Sequence, residues 1–132
     1  MHAAAAVNDS VRTTSWTGRA LSTIVVLFMV FDGVVHVLKP APVAEAFTRL
    51  GYPLGASVGL GILELAIIAL YAIPRTAALG AVLLTGYLGG AVATQVRAGS
   101  STFEIIFPVI VGALAWGGVA LRDPRLRAFI NR

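Results

Sequence analysis

Four long runs of apolar residues are separated by short breaks that contain proline, glycine and charged residues. A bilayer hydrocarbon core of about 30 Å is crossed by a helix of about 20 residues. The pattern therefore predicts an all-α integral membrane protein, a four-helix transmembrane bundle. The predicted spans cover residues 20–38, 55–73, 76–96 and 103–121.

The parts outside the spans are short and polar. Residues 1–18 are predicted to be a mobile or interfacial N-terminal tail, 19–122 the four-span transmembrane domain, and 123–132 a basic C-terminal tail. Segment 43–50 is too short to span. Its apolar residues recur at helical spacing opposite Glu45 and Arg49, which predicts a short interfacial helix between the first two spans.

A cleaved signal peptide is the alternative interpretation of the first apolar run. Residues 44–46 (Ala-Glu-Ala) resemble a cleavage site. However, run 20–38 is longer than the roughly 7–15 residues of a signal-peptide core, and Asp32 interrupts it. A retained transmembrane helix is therefore favoured.

The composition agrees with a membrane protein. Charged residues make up 12% of the chain, against about 25% in a soluble domain, and hydrophobic residues make up 58%. The net charge is +4, but the basic residues lie singly at the ends of apolar runs, which is typical of topology signals and not of nucleic-acid binding. The chain has no cysteine, which excludes disulfides, thiolate metal sites and thiol redox chemistry within it.

The distribution of basic residues predicts the orientation. With four spans, both termini lie on one side, and that side carries seven of the ten basic residues. Because positive residues concentrate in the cytoplasm, both termini are predicted to be cytoplasmic. The seven are Arg12, Arg19, Arg75, Arg122, Arg125, Arg127 and Arg132; the other three are Lys39, Arg49 and Arg97.

Ionisable residues inside the spans are the candidate functional groups. Asp32 and His36 lie four residues apart in the first span, and Glu64 lies at the centre of the second. Charged groups at that depth are costly and tend to mark function. Hydrogen bonding that holds helices together is the alternative interpretation. This role or simple solvation is favoured for His36, Gln95 and Glu104, which lie nearer the water.

Small and polar residues form faces on the spans. Ser57, Glu64 and Tyr71 are seven residues apart and predict one polar stripe on the second span. The pair Gly86 and Gly90 predicts close helix packing, and packing within the monomer is favoured over dimerisation. If the polar faces all point inward, they line a pocket in the outer half of the bundle.

The motif content excludes several chemistries. There is no Walker loop, no HExxH sequence and no dinucleotide fingerprint. With only His2 and His36, a histidine-rich metal site or a bis-histidine haem site within one chain is not expected, and no residue is assigned as a metal ligand. The motif content does not exclude a carboxylate-rich metal site.

Four segments together resemble the DoxX-like family of small bacterial membrane proteins: 60–65 (LGILEL), 73–76 (IPRT), 79–94 (LGAVLLTGYLGGAVAT) and 121–127 (LRDPRLR). The resemblance implies a four-helix transmembrane bundle in the bacterial inner membrane. DoxD and DoxA type relatives are associated with thiosulfate:quinone oxidoreduction, and other relatives with membrane redox complexes. Glu64 matches a glutamate in the second span of the family.

Three functions follow as hypotheses. The first is a membrane subunit that binds a quinone or another lipophilic molecule. It acts alone, as a homo-oligomer or with a redox partner protein. Its candidate ligand-binding residues are Tyr87, Thr94, Gln95, Glu104 and Trp116. The second is an isomerase, cyclase or epoxide-opening hydrolase acting on a lipophilic substrate, with Asp32, His36 and Glu64 as candidate catalytic acid–base groups. The third is a structural or assembly subunit.

Overall fold

The computed structural model describes residues 1–132 and contains six helices and no strand. Four of the helices, α1, α3, α4 and α5, are long and apolar enough to cross a membrane, which confirms the predicted four-span helical architecture. The helices are α1 (His2–Leu38), α2 (Ala41–Leu50), α3 (Gly55–Ala72), α4 (Ala77–Arg97), α5 (Thr102–Arg122) and α6 (Pro124–Ile130).

The four long helices form a closed ring. Helix α1 packs against α3 and α5, and α4 packs against the same two neighbours, so α1 and α4 face each other diagonally. The α2 end of the bundle holds the end of α1, helix α2, the start of α3, the end of α4 and the start of α5. The opposite, α6 end holds the α3–α4 connection and α6.

The N-terminal segment, predicted to be a mobile or interfacial tail, is helical. Helix α1 begins at His2 and continues without a break into the first span. Residues 3–6 are alanines, which have the highest helix propensity, and no proline or glycine occurs before Gly18. At 1.5 Å per residue the helix is about 55 Å long, so about 25 Å of it extends beyond a bilayer core of about 30 Å.

The connections at the α2 end have local causes. Lys39 adopts the left-handed conformation with φ 52°, and Pro40 then opens α2. Gly51, at φ 80°, closes α2. Helix α5 begins with a capping box, in which the Ser101 hydroxyl accepts from the Glu104 amide and the Glu104 carboxylate accepts from the Ser101 amide.

Glycines lie where neighbouring helices approach each other most closely. The predicted pair, Gly86 and Gly90, is not among these glycines. A methyl group added to Gly118 on α5 would lie 2.6 Å from the Ser22 hydroxyl of α1, so only glycine fits there. No atom lies within 4 Å of a methyl group added to Gly86 or Gly90. The prediction that these two glycines pack helices together is therefore wrong, because α4 faces a cavity at this level.

Candidate functional site

A cavity of about 460 Å³ lies in the half of the bundle next to α2. Its walls come mainly from α1, α4 and α5, and α2 lies over it. Twelve of its nineteen lining residues are hydrophobic, so the walls suit a lipophilic molecule. The apolar walls include Phe28, Met29, Leu60, Leu88, Phe107 and Val111, and the polar positions are Asp32, His36, Tyr52, Tyr87, Thr94 and Gln95.

His36 links the buried Glu64 carboxyl group to the partly exposed Asp32 carboxyl group. Its Nδ1 lies 2.7 Å from the Asp32 carbonyl oxygen, 3.4 Å from Asp32 Oδ2 and 3.6 Å from Glu64 Oε2. All three neighbours are oxygens, so this hydrogen-bond network assigns the proton to Nδ1. Nε2 is then the ring nitrogen left to interact with a bound molecule.

Glu64 lies directly behind the cavity wall. Its side chain is 0% exposed, and its Oε2 accepts a hydrogen bond from the Tyr87 hydroxyl at 3.0 Å. Tyr87 itself lines the cavity. Glu64 Oε1 is buried and has no hydrogen-bond partner, which is uncommon for a polar atom in a folded protein.

Two glycines bring α1 and α3 close enough for these contacts. A methyl group on Gly61 of α3 would lie 2.7 Å from the Gly33 carbonyl oxygen and 2.9 Å from His36 Cβ. The Ser57 hydroxyl then donates to the His36 carbonyl at 2.6 Å. The missing side chain at Gly61 therefore lets His36 approach Glu64 across the helix pair.

Further polar residues lie nearer the α2 end of the cavity. The Thr94 hydroxyl donates to the Gly90 carbonyl at 2.8 Å, so the Tyr52 hydroxyl donates to Thr94 Oγ1 at 3.1 Å. Gln95 Oε1 accepts from the Ser100 hydroxyl at 2.5 Å. Its amide nitrogen is left available as a donor at the cavity wall.

The structure brings six of the eight predicted site residues together and separates two. Asp32, His36, Tyr87, Thr94 and Gln95 line the cavity, and Glu64 contacts His36 and Tyr87 from behind; these are the six. Contrary to expectation, neither Glu104 nor Trp116 is at the cavity wall.

The two separated residues have other partners. Glu104 caps α5 and pairs with Arg49 of α2, with Arg49 Nη2 3.0 Å from Glu104 Oε1. The Trp116 indole N–H donates to Thr85 Oγ1 at 2.7 Å. Both side chains therefore use their polar atoms in contacts between chain segments.

Sequence reasoning missed the contribution of α2 to the cavity. Its residues Ala46, Phe47 and Leu50 line the cavity, and the Phe47 ring centroid is 5.6 Å from that of His36. The Arg97 side chain donates to the Leu50 carbonyl at 2.8 Å and ties α2 to α4. The available signal was the helical spacing of the apolar residues in α2. This spacing marks a buried face but does not identify what the face covers.

The fold and the cavity define a class of protein, a small multi-pass membrane protein with an internal amphiphilic pocket. The family model described as the DoxX-like family matches residues 20–118. The chain therefore belongs to the DoxX-like family, as its sequence segments indicated. No curated protein and no solved structure shows significant similarity to it.

The contact between Glu64 and Tyr87 is expected to contribute modestly to stability. Hydrogen bonds between transmembrane helices average about 0.6 kcal/mol and reach about 1.7 kcal/mol. We expect a double-mutant cycle of Glu64→Leu and Tyr87→Phe to give a coupling energy in that range, measured by reversible unfolding in mixed micelles. Glu45→Leu, at an exposed position on α2, should show no coupling to Tyr87→Phe. Equal coupling in both cycles would contradict the contact.

Proposed function

We propose that this chain binds a quinone or another lipophilic molecule with a polar head group in the cavity, as a subunit of a membrane redox system in the bacterial inner membrane. The observation that carries the proposal is the cavity itself, which combines apolar walls with a polar end inside a membrane bundle. Its volume of about 460 Å³ lies within the roughly 300–1,000 Å³ of typical small-molecule sites.

The proposed orientation puts the cavity in the outer half of the membrane. Arg75, between α3 and α4, and the arginines from Arg122 to the C-terminus lie at the α6 end. Because basic residues favour the cytoplasmic side, the α6 end is cytoplasmic in this proposal, and α2 lies at the outer surface.

The polar groups at the cavity suit a quinone head. Gln95 offers an amide donor, and His36 Nε2 can exchange a proton with the head group. Reduction of a quinone to a quinol takes up two electrons and two protons. In this proposal a redox partner protein supplies the two electrons, water supplies the two protons, and the polar side chains at the cavity surround the head group.

Filling the cavity is expected to remove the bound molecule. Gly90 lines the cavity, whereas Gly89 does not, and an added methyl group meets no atom within 4 Å at either position. We expect Gly90→Leu to reduce the co-purifying ligand at least about tenfold, or about 1.4 kcal/mol in binding free energy, relative to Gly89→Leu. The ligand is measured by organic extraction of the detergent-purified protein, absorption spectroscopy and mass spectrometry.

The matched glycine variants make the result specific to the cavity. Both place a leucine on α4 in open space, so they change helix propensity and hydrophobicity alike. Equal ligand content in both variants, or no lipophilic molecule in the wild-type extract, would contradict binding in the cavity.

An enzyme is the second candidate, and the contact of His36 with both carboxyl groups favours it. Carboxyl and imidazole groups in contact are suited to general acid–base catalysis of an isomerisation, a cyclisation or the opening of an epoxide. This candidate requires turnover by the isolated chain, with loss of turnover but retention of fold in Asp32→Asn and Glu64→Gln. If these two variants lose only stability, the catalytic hypothesis fails and a structural role is favoured.

A further inference from the structure

We propose that Asp32, His36 and Glu64 form a binding site for one divalent transition-metal ion such as Zn²⁺. The three residues come from two helices, α1 and α3, and each offers one ligand atom. The three ligand atoms all lie within 4.8 Å of one another. The site goes beyond the proposed function, since it does not depend on any organic molecule in the cavity.

The spacing of the donor atoms fits a tetrahedral ion. Bonds of about 2.0–2.2 Å from Zn²⁺ to nitrogen and oxygen place neighbouring donors about 3.3–3.6 Å apart in a tetrahedron. His36 Nδ1 lies 3.4 Å from Asp32 Oδ2 and 3.6 Å from Glu64 Oε2. These two donor–donor distances lie within that range, so the three side chains need little rearrangement to accept an ion.

Binding of the ion replaces a proton. Nδ1 lies 2.7 Å from the Asp32 carbonyl oxygen and holds a proton in the hydrogen-bond network described above. Metal ligands must be deprotonated, so the ion displaces this proton to solvent and lies between Nδ1 and the two carboxylates. The imidazole gives up its contact with the carbonyl and gains a bond to the metal.

The surroundings of Glu64 are a second observation that supports a cation site. The side chain is 0% exposed, and Oε1 has no hydrogen-bond partner. No lysine or arginine lines the adjoining cavity, and the only basic side chain in an ion-pair contact with Glu64 is His36. Buried carboxylates are normally paired or coordinate metals, and an ion satisfies both requirements here.

The ligand set favours a transition metal over Mg²⁺ or Ca²⁺. Those two ions take oxygen ligands, whereas imidazole suits zinc, copper, iron and nickel. Tyr87 supplies an outer hydrogen bond to the Glu64 carboxylate, as second partners of metal ligands commonly do. Three protein ligands leave a further position on the ion, and the cavity borders both Asp32 and His36.

The test is a metal titration of the full chain in detergent. The protein carries a tag without histidine, is treated with EDTA, and is dialysed and titrated with ZnCl₂ by calorimetry, with elemental analysis of the washed protein. We expect about one Zn²⁺ per chain, and no comparable binding of Mg²⁺. His2 is the only other histidine, so His2→Ala removes the alternative histidine and should leave binding unchanged.

Variants distinguish the three ligands from their surroundings. We expect His36→Asn, Asp32→Asn and Glu64→Gln each to weaken Zn²⁺ binding more than about 100-fold, and Tyr87→Phe to weaken it about 10–100-fold, as outer partners do. Glu45→Gln removes an exposed carboxylate from α2 and is the matched control, with no change expected. Circular dichroism and thermal unfolding show which variants remain folded, and Asp32→Asn, at a partly exposed position, is the variant least disturbing to the fold.

Several results would overturn the proposal. These are the absence of Zn²⁺ binding by the folded wild type, retention of binding in folded His36→Asn or Asp32→Asn, loss of binding in His2→Ala, or equal binding of Mg²⁺. Ligand extraction from the same preparations keeps this test separate from the proposed function. Zinc binding without a lipophilic ligand supports the metal site and contradicts the proposed function. A lipophilic ligand without zinc binding supports the proposed function and contradicts the metal site.

Discussion

Replacing Gly80 with leucine is expected to destabilise the bundle by more than about 3 kcal/mol, above the usual range for overpacking. Gly80 lies in the first turn of α4, against the end of α3. An added methyl group would meet main-chain atoms of Leu70 and Tyr71, with the Leu70 carbonyl carbon 2.8 Å away. Since these atoms belong to the helix backbone, they cannot move aside as a flexible side chain does.

The measurement compares Gly80→Leu with Gly89→Leu. The two glycines lie on the same helix, but an added methyl group at Gly89 meets nothing within 4 Å. Helix propensity and hydrophobicity change equally in both, so the difference in unfolding free energy in mixed micelles isolates the clash. Similar stability of the two variants would show that α3 and α4 do not approach closely at Gly80.

Replacing Tyr71 with alanine is expected to cost about 3–5 kcal/mol, the range for removing a large aromatic side chain from a packed interior. Tyr71 is 0% exposed. Its hydroxyl donates to the Ala115 carbonyl at 2.7 Å, so Ser22 donates to the Tyr71 oxygen at 3.1 Å. The side chain therefore connects α3 to both α1 and α5, and its loss leaves a void and removes the partner of the Ser22 hydroxyl.

Tyr71→Phe separates the packing contribution from the hydrogen bonds. It retains the ring, against which the Arg122 guanidinium packs at 4.8 Å from the centroid. The loss of two hydrogen bonds at about 0.6–1.7 kcal/mol each gives an expected cost of about 1–3 kcal/mol. Tyr71 does not line the cavity, so Tyr71→Phe should retain the co-purifying ligand below its unfolding temperature. Equal costs for both variants would contradict the importance of the ring.

These two predictions concern the α6 half of the bundle, which is tightly packed, whereas the α2 half contains the cavity. At the α6 end, Gly80 lets α3 and α4 approach closely, and Gly18 and Gly118 do the same for α1 and α5. Toward the α2 end, α4 presents Gly86 and Gly90 to open space. Helix α4 is thus packed closely against α3 at the α6 end and leaves room for a ligand toward the α2 end.

The polar stripe of α3 shows how far sequence reasoning reaches. The seven-residue spacing of Ser57, Glu64 and Tyr71 predicted one face, and all three side chains are 0% exposed in the fold. Their partners were not predictable in this way. Ser57 contacts a backbone carbonyl of α1, Glu64 contacts Tyr87 of α4, and Tyr71 contacts α1 and α5.

Glu104 and Trp116 show where prediction from residue type was insufficient. Both were candidates for ligand contact, although a role in holding helices together was already favoured for Glu104. In the structure Glu104 bonds to Ser101 and Arg49, and Trp116 bonds to Thr85. The local motif Ser101–Glu104 has the spacing of a capping box, so the sequence did contain a signal for the role of Glu104.

The sequence by itself determined the four spans, the short helix α2 and the membership of the DoxX-like family, because apolar length and helical periodicity are local properties of the chain. It also determined that Asp32 and His36 share a helix face. Only the tertiary structure decided that Glu64 meets them, that α2 covers the cavity, and that Gly61, Gly80 and Gly118, not Gly86 and Gly90, are the sites of close packing. The physical reason is that these contacts depend on how each helix is rotated and on where its neighbour lies, which side-chain packing between distant segments fixes.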